Sequence, residues 1–262
     1  MLPDEVRAAL SGIEVGGVRR AERIKHGLTN ESWLVHGDAD TWVVRLSNAE
    51  EVSLQINRVS EALILEAVAR AGIGPEVIRC DPRRHLLVTR YAGETWSEAQ
   101  ALAAGNIERI ACLLRKLHSV SPPQGIQRVD LTAVVDGYLE TLHQHGVRDP
   151  AGAPAQQARA REIAATLQQD SDPCLCHNDV HSLNIVDDGR LRLIDWEYAG
   201  LGERFFDLAS ICVYHRYDQQ QRERLLAAYV GQSQIGTQRR LELACWLFGY
   251  VRELWTAVRE LG

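Results

Sequence analysis

The feature that most constrains the fold is a change of sequence pattern near residue 92. Before this point the chain contains short runs of aromatic and β-branched residues, which are typical of strands. The predicted strands cover residues 33–35, 41–46, 77–79 and 86–91. One helix is predicted over residues 57–71, between the second and third strands. The order strand, strand, helix, strand, strand indicates a small sheet that carries one helix.

After residue 92 the apolar residues recur at helical spacing. Helices are predicted over residues 97–118, 131–145 and 155–168, and from Phe206 to the end with a break near 231–237. Residues 174–200 are predicted to form short strands and loops. We therefore expect an α+β fold of two lobes. A small antiparallel-sheet N-lobe with one helix would cover residues 1–92, and a larger, mainly helical C-lobe would cover residues 93–262, with a ligand in the cleft between them.

The overall charge and the absence of long apolar runs exclude several classes of protein. A formal net charge of −6 disfavours a nucleic-acid-binding protein, which normally shows a basic excess. No apolar run approaches the roughly 20 residues of a membrane-spanning helix, and the first residues lack the pattern of a signal peptide. We therefore expect a cytoplasmic enzyme with neither a nucleic-acid nor a membrane partner.

The six cysteines are scattered along the chain, and in the cytoplasm we expect them to remain reduced thiols. Cys174 and Cys176 lie close to His177 and His181, a grouping that could indicate a metal site. No second cysteine pair completes a zinc-ligand spacing, so we expect the two thiols to pack on a short buried strand.

Three polar residues have the spacing of a phosphoryl-transfer site. Asp179 precedes Asn184 by five residues, and Asp195 comes eleven residues later, directly after the apolar run 191–194. Such a site needs an acid and an amide on one loop, with a second acid at the end of a strand. Asp179 would accept the proton of an attacking hydroxyl, and the other two would hold Mg²⁺. The alternative is that all three are ordinary polar loop residues.

Two blocks of sequence, 175–184 and 193–209, are similar to a known family. They resemble the small-molecule kinases of the aminoglycoside phosphotransferase and choline kinase superfamily, whose fold is like that of protein kinases. Choline/ethanolamine kinases and thiamine kinases are the most similar in pattern, and the run Ile-Asp-Trp-Glu-Tyr-Ala-Gly at 194–200 is the most specific part. The resemblance implies ATP and Mg²⁺ as cofactors and a small alcohol, expected to be cationic, as the acceptor.

The resemblance also assigns nucleotide-binding roles to residues before residue 92. The residues implied are Thr29, Asn30, Ser32, Arg45, Glu61, Thr89 and Tyr91. Arg45 stands where protein kinases carry a strand-borne lysine, and its guanidinium could contact two phosphate oxygens at once. Its expected partner is Glu61, with Glu66 as the alternative. Residues 89–92 would form a hinge whose backbone contacts adenine.

Two residues are implied to support the catalytic loop. In the family pattern His177 braces the loop through backbone contacts. Asp207 would hold the same loop from below, and the alternative for Asp207 is a helix N-cap.

A cationic alcohol would be held by acidic side chains and aromatic faces. Trp246 and Tyr250 share one face of a predicted helix, whereas Phe248 and Trp255 share another, so one pair is expected in the core. We predict that Glu197, Tyr250 and Trp255 bind the substrate. Two alternatives stay open: a sugar or aminoglycoside kinase, and a non-catalytic nucleotide-binding relative that acts as a regulator.

Overall fold

The sheet near the start of the chain has five antiparallel strands in the order β1-β2-β3-β5-β4. The strands are β1 Arg20–Ile24, β2 Asn30–His36, β3 Thr41–Ser47, β4 Val77–Asp81 and β5 Leu86–Arg90. The structure, a computed structural model, describes residues 2–13, 17–24, 30–47, 54–147, 154–169, 172–231 and 235–261. Helix α1, Asp4–Leu10, and strand β1 add two elements that the sequence pattern did not predict.

Strand β3 separates a small core from the cleft. Trp42 and Val44 are buried in a cluster with residues of α1, β2 and β5. Because successive side chains on a strand point to opposite faces, Arg45 faces the other side, where it lines the cleft. It lies opposite Ser32 on β2 and Leu87 on β5. The antiparallel register therefore places one guanidinium in the middle of the cleft wall.

Helix α2, Arg58–Arg70, packs on the face of the sheet from which Arg45 projects. Asn57 caps its first turn, since the Asn57 side chain accepts a hydrogen bond from the Ser60 N–H at 3.0 Å. Ile64 and Val68 lie on the apolar face of this helix and are buried. The same turn carries Glu61, which is only 2% exposed. The cap thus fixes the position of a buried acid beside β3.

The rest of the chain is mainly helical. Its helices are α3 Glu98–Leu102, α4 Ala104–His118, α5 Leu131–Gln144, α6 Pro154–Gln169, α7 Arg204–Tyr214, α8 Gln219–Val230 and α9 Ile235–Arg259. The α+β class predicted from the sequence is confirmed. The single helix predicted over 97–118 is wrong, because Ala103 takes an extended backbone conformation (φ −64°, ψ 133°) that ends α3 before α4 begins.

Four short strands lie between α6 and α7: β6 Cys174–Cys176, β7 Ile185–Asp187, β8 Leu191–Leu193 and β9 Gly200–Gly202. They form two antiparallel pairs, β6 with β9 and β7 with β8. A core of residues from α4 to α9 surrounds them. Among the described residues, no helix combines the length and the apolar character needed to cross a membrane.

Candidate active site

A cleft of about 1060 Å³ lies between the sheet and the helical part of the chain. Its lining includes most of the residues singled out by the sequence: Asn30, Ser32, Arg45, Thr89, Tyr91, Asp179, Asn184, Asp195, Glu197 and Trp255. The volume is at the upper end of the range of small-molecule sites, which suits two ligands bound side by side.

The loop that follows β6 is held from below by Asp207. This carboxylate is fully buried and accepts hydrogen bonds from two backbone N–H groups, His177 at 2.9 Å and Asn178 at 2.6 Å. His118, from the end of α4, approaches the same carboxylate with its Nε2 at 3.0 Å. Asp207 does not cap α7, because Glu203 occupies that position. The N-cap alternative for Asp207 is therefore wrong.

His177 faces away from the cleft. Its Nε2 lies 2.9 Å from the carbonyl oxygen of Ile194, and its ring packs edge-on against Trp196 with centroids 4.7 Å apart. Burial lowers the pKa of His177 below its usual value, so the ring stays neutral. The geometry gives His177 the bracing contacts that the sequence predicts and no contact with the cleft.

Asp179 is oriented by three side chains. The Tyr214 hydroxyl donates to Oδ1 at 2.9 Å, and the Asn184 amide donates to Oδ2 at 3.0 Å. His181 Nε2 lies 3.5 Å from Oδ2. Burial acts to raise the pKa of Asp179, but the contacts with His181 and Tyr214 outweigh it and hold the pKa below its usual value. An ionised, fixed carboxylate therefore points into the cleft, as a proton acceptor requires.

Asn184 and Asp195 are tied together by their backbones. The Ile194 N–H donates to the Asn184 carbonyl at 3.0 Å, and Asp195 adopts a left-handed conformation with φ 64°. The side-chain amide of Asn184 donates hydrogen bonds to the backbone carbonyl and the carboxylate of Asp179. Its side-chain oxygen is therefore the atom left to bind a cation.

The environment of Asp195 favours a bound cation. Burial and the negative charge of Glu197 raise the pKa of the Asp195 carboxyl group well above its usual range. Arg45, with Nη1 3.4 Å from Asp195 Oδ1, offsets only part of this effect. A carboxylate and an amide oxygen are hard ligands of the kind Mg²⁺ takes, and Mg²⁺ would supply the missing positive charge. The donor set and its charge therefore fit the ion that the sequence implies.

At the cleft wall, four charged side chains and one amide form a network that we call the paired cluster: Arg45, Arg58, Glu61, Glu197 and Asn30. Glu61 accepts from Arg45 at 2.6 Å and from Arg58 at 2.8 Å. Arg58 lies 3.1 Å from Glu197 and donates to Asn30 at 2.9 Å. Asn30 in turn donates to Glu197 at 2.8 Å. The network links β2, β3 and α2 to the loop after β8.

The charges of the paired cluster stabilise one another. Burial alone would raise the pKa of Glu61, but Arg45 and Arg58 hold it below the usual value. Burial would likewise lower the pKa of Arg45, and Glu61 raises it instead. The geometry matches the predicted Arg45–Glu61 pair. The alternative partner Glu66 is wrong, because it is exposed and pairs with Arg70 on the same helix.

The other predicted nucleotide-binding residues differ in whether they are free of other contacts and can bind a nucleotide. Thr29 lies outside the described residues, and Asn30 is engaged in the paired cluster. The predicted hinge at 89–92 borders the cleft, but the backbone N–H groups of Arg90 and Tyr91 already bond to Glu76 and Thr41. Adenine would therefore need backbone groups other than these two. Burial and Glu94 raise the pKa of Tyr91 to about 12, so its hydroxyl stays protonated.

The structure separates the three predicted substrate-binding residues. Trp255 lines the cleft and donates its indole N–H to the Tyr198 hydroxyl at 2.8 Å. Tyr250 is buried away from the cleft and stacks on Trp246 with centroids 5.6 Å apart. Glu197 borders the cleft, yet its carboxylate is held by Arg58 and Asn30. Trp255 is thus the one of the three that lines the cleft without belonging to the paired cluster, and Arg259 lies over its ring at 5.2 Å.

Sequence reasoning missed several side chains that shape the site. Arg58 carried a signal, since it lies three residues before Glu61 on one helix and can pair with it. Tyr214 and His118 carried none, because each reaches the loop from a helix distant in sequence. Tyr138 also lines the cleft without having been predicted.

Comparison with known proteins identifies similar sequences. A family model described as "Phosphotransferase enzyme family" matches residues 20–243. Protein LicA of Haemophilus influenzae is 28% identical over 251 residues, which cover 89% of this chain and 72% of that protein. The thiamine kinase of Salmonella typhi is 30% identical over 164 residues, which cover 60% of this chain and 49% of that protein.

Solved structures share the same fold. A choline/ethanolamine kinase family protein from Mesorhizobium loti aligns with a TM-score of 0.79 and 28% identity, covering 100% of this chain and 87% of that one. Choline kinase LicA from Streptococcus pneumoniae aligns with a TM-score of 0.81 and 20% identity, covering 98% and 90% of the two chains. The similarity to choline/ethanolamine and thiamine kinases expected from the sequence is confirmed.

Proposed function

Because the chain belongs to the phosphotransferase enzyme family, we propose that it transfers the γ-phosphate of ATP to a hydroxyl of a small cationic alcohol of the choline, ethanolamine or thiamine type. The observation that carries this proposal is the group formed by Asp179, Asn184 and Asp195, which we call the acidic cluster. Its two carboxylates and one amide oxygen face the cleft beside Arg45.

Within the acidic cluster, Asp179 orients the acceptor hydroxyl and takes its proton. Tyr214 and Asn184 fix its two oxygens, so the carboxylate is positioned before the substrate arrives. Most of the rate enhancement of phosphoryl transfer comes from such positioning and from neutralising charge on the phosphates. Mg²⁺ would be held by Asn184 and Asp195 and would supply the second of these effects.

Arg45 would contact the nucleotide phosphates. Its guanidinium is fixed by Glu61 at 2.6 Å, which leaves Nη1 near Asp195 and towards the cleft. A pre-positioned guanidinium can bind phosphate oxygens with little loss of side-chain entropy. A solved structure of similar fold is described as LicA in complex with AMP, which supports an adenine nucleotide in this cleft. We place the nucleotide against residues 1–92 and the alcohol against residues 93–262.

The alcohol would bind on the helical side of the cleft, where aromatic side chains gather. Tyr138, Tyr198 and Trp255 line the cleft, as do the cationic side chains of Arg252 and Arg259. Aromatic faces attract a cationic nitrogen. The aromatic lining, together with the similarity to ethanolamine and thiamine kinases, supports a cationic alcohol.

A coupled ADP-release assay with the full chain and MgATP tests the proposal over choline, ethanolamine, thiamine, a neutral sugar and an aminoglycoside. We expect turnover with at least one of the first three. For choline, the matched control is its neutral isostere 3,3-dimethylbutan-1-ol, which should lose about tenfold or more in kcat/KM because no cation–π attraction remains. Turnover of the sugar and of no cation would overturn the substrate class. If none of the five compounds causes ADP release, the result would count against the proposed kinase activity.

A further inference from the structure

Cys174 and Cys176 form a pair of thiols directly under the catalytic loop. They lie two residues apart on β6, so their side chains leave the same face of the strand, and their sulfur atoms are 3.7 Å apart. His118, from the end of α4, joins them. One nitrogen of its ring and the two sulfur atoms all lie within 4.8 Å of one another, the one group of three or more His, Cys, Asp or Glu side chains with this closeness in the described ranges.

We propose that Cys174, Cys176 and His118 bind one zinc ion. Zinc–thiolate bonds are about 2.3 Å long, and tetrahedral geometry then separates two sulfur ligands by about 3.8 Å. The observed separation of 3.7 Å already meets this requirement. Thiolate and imidazole ligands select zinc over the hard ion Mg²⁺, which prefers oxygen. The proposed site is therefore distinct in chemistry from the acidic cluster.

A disulfide is the competing use of the two thiols, and the strand disfavours it. Residues two apart on a strand have Cα atoms about 6.6 Å apart, near the outer limit of the disulfide range. The sulfur atoms would also have to move from 3.7 Å to bonding distance. Because β6 is paired with β9 at both cysteines, this contraction would disturb the ladder. A zinc ion requires no such movement.

Charge balance also favours zinc at this depth. Cys176 is fully buried, Cys174 is 6% exposed, and the His118 side chain is 3% exposed. Two thiolates neutralise one Zn²⁺, so the centre would carry no net charge and could remain buried. The two thiol protons would be released to solvent when the ion binds.

The surroundings of His118 resemble those of a metal-ligating histidine. Its Nε2 lies 3.0 Å from Asp207 Oδ2, and ligating histidines commonly donate their second N–H to a carboxylate. Nδ1 is then the ligand atom; it now lies 2.6 Å from the Tyr229 hydroxyl, which would have to turn aside when zinc binds. Since Asp207 also holds the backbone of His177 and Asn178, zinc would brace the catalytic loop. Zinc binding at this site would be independent of the proposed kinase activity.

Cobalt(II) titration of the reduced, chelator-treated full chain tests this site, with Mg²⁺ in excess to fill the acidic cluster. We expect one Co²⁺ per chain, with thiolate-to-cobalt charge-transfer absorption that disappears when Zn²⁺ is added. Cys174→Ser and Cys176→Ser should each abolish this absorption. Cobalt bound to oxygen ligands elsewhere gives no such bands.

The chain contains a matched control in Cys212 and Cys245, a second pair of buried thiols that share a hydrogen bond. Cys212→Ser should leave the cobalt spectrum unchanged. Charge-transfer bands that persist in both Cys174→Ser and Cys176→Ser, or that vanish in Cys212→Ser, would overturn the assignment. The intact chain provides a test that no variant can obscure: if it shows no thiolate bands and no rise in melting temperature with Zn²⁺, the site does not exist.

Discussion

Two groups of charged side chains meet at the cleft, and they differ in charge balance. The paired cluster contains two guanidinium groups and two carboxylates, and these are joined to one another by contacts of 2.6–3.1 Å. The acidic cluster contains two carboxylates, and Arg45 approaches it only at 3.4 Å. The charges of the balanced group offset one another without a ligand, whereas the unbalanced group gains most from a cation brought by the nucleotide.

The largest expected effect is a loss of catalytic rate when the acidic cluster loses its proton acceptor. Asp179→Asn keeps the size of the side chain but removes the proton acceptor, so kcat should fall by about 10²–10⁴-fold. Affinity for MgATP, measured by calorimetry, should change little. Asp136→Asn is the matched control, because this acid is half-exposed on α5, pairs with Arg161 and does not line the cleft. Full turnover by Asp179→Asn would remove Asp179 from the chemistry.

A substitution in the paired cluster should lower the unfolding free energy of the chain. Glu61→Gln removes the carboxylate that the buried guanidinium groups of Arg45 and Arg58 share, and breaking a buried ion pair costs about 3–5 kcal/mol of unfolding free energy. Glu66→Gln on the same helix is the control, and as an exposed change it should stay within about 0.5 kcal/mol. Urea unfolding measures both. Equal effects of the two variants would refute the structural role of the paired cluster.

The same pair predicts a dependence of stability on pH. The pKa of Glu61 is lower in the folded chain than in the unfolded chain, where it has its ordinary value. Its contribution to stability is therefore complete above the ordinary glutamate pKa and is lost as the pH falls through the folded pKa. The unfolding free energy of Glu61→Gln should decline less steeply with acid than that of the intact chain. Parallel declines would show that the carboxylate does not ionise with this shift.

The smallest of these effects concerns the orientation of Asp179. Tyr214→Phe removes one hydrogen bond to a charged oxygen, which is worth about 1.5–3 kcal/mol, so kcat should fall about 10–100-fold with KM for ATP nearly unchanged. Tyr250→Phe is the control, since Tyr250 lies outside the cleft lining, and both constants should stay at the wild-type value. A drop in activity for Tyr250→Phe would restore the predicted substrate role of that residue.

The parts of the site that are close in sequence could be predicted from the residues. Asp179 and Asn184 lie on one loop, and Asp195 follows a strand that pairs back on the same segment. Their proximity is therefore a local consequence of the chain. The Arg45–Glu61 contact could be predicted only through a family resemblance, because a strand and a helix meet there.

Contacts between segments that are distant in sequence could not be predicted from local sequence patterns. His118 and Asp207 are 89 residues apart, and Asn30 and Glu197 are 167 apart. Such contacts depend on how helices and sheet pack as a whole, which apolar spacing does not specify. The break at Ala103 escaped prediction for a related reason: alanine favours helix, and tertiary packing overrides that preference.

We propose that the acidic cluster, and not the paired cluster, receives the cation. Calorimetry of ATP binding with and without Mg²⁺ tests it most directly, on the intact chain, on Asp195→Asn and on Glu61→Gln. Asp195→Asn should lose the Mg²⁺-dependent gain in ATP affinity, by about tenfold or more, while its affinity for metal-free ATP should be maintained. Glu61→Gln should keep the Mg²⁺-dependent gain. A full Mg²⁺-dependent gain in Asp195→Asn would show that Asp195 does not bind the cation.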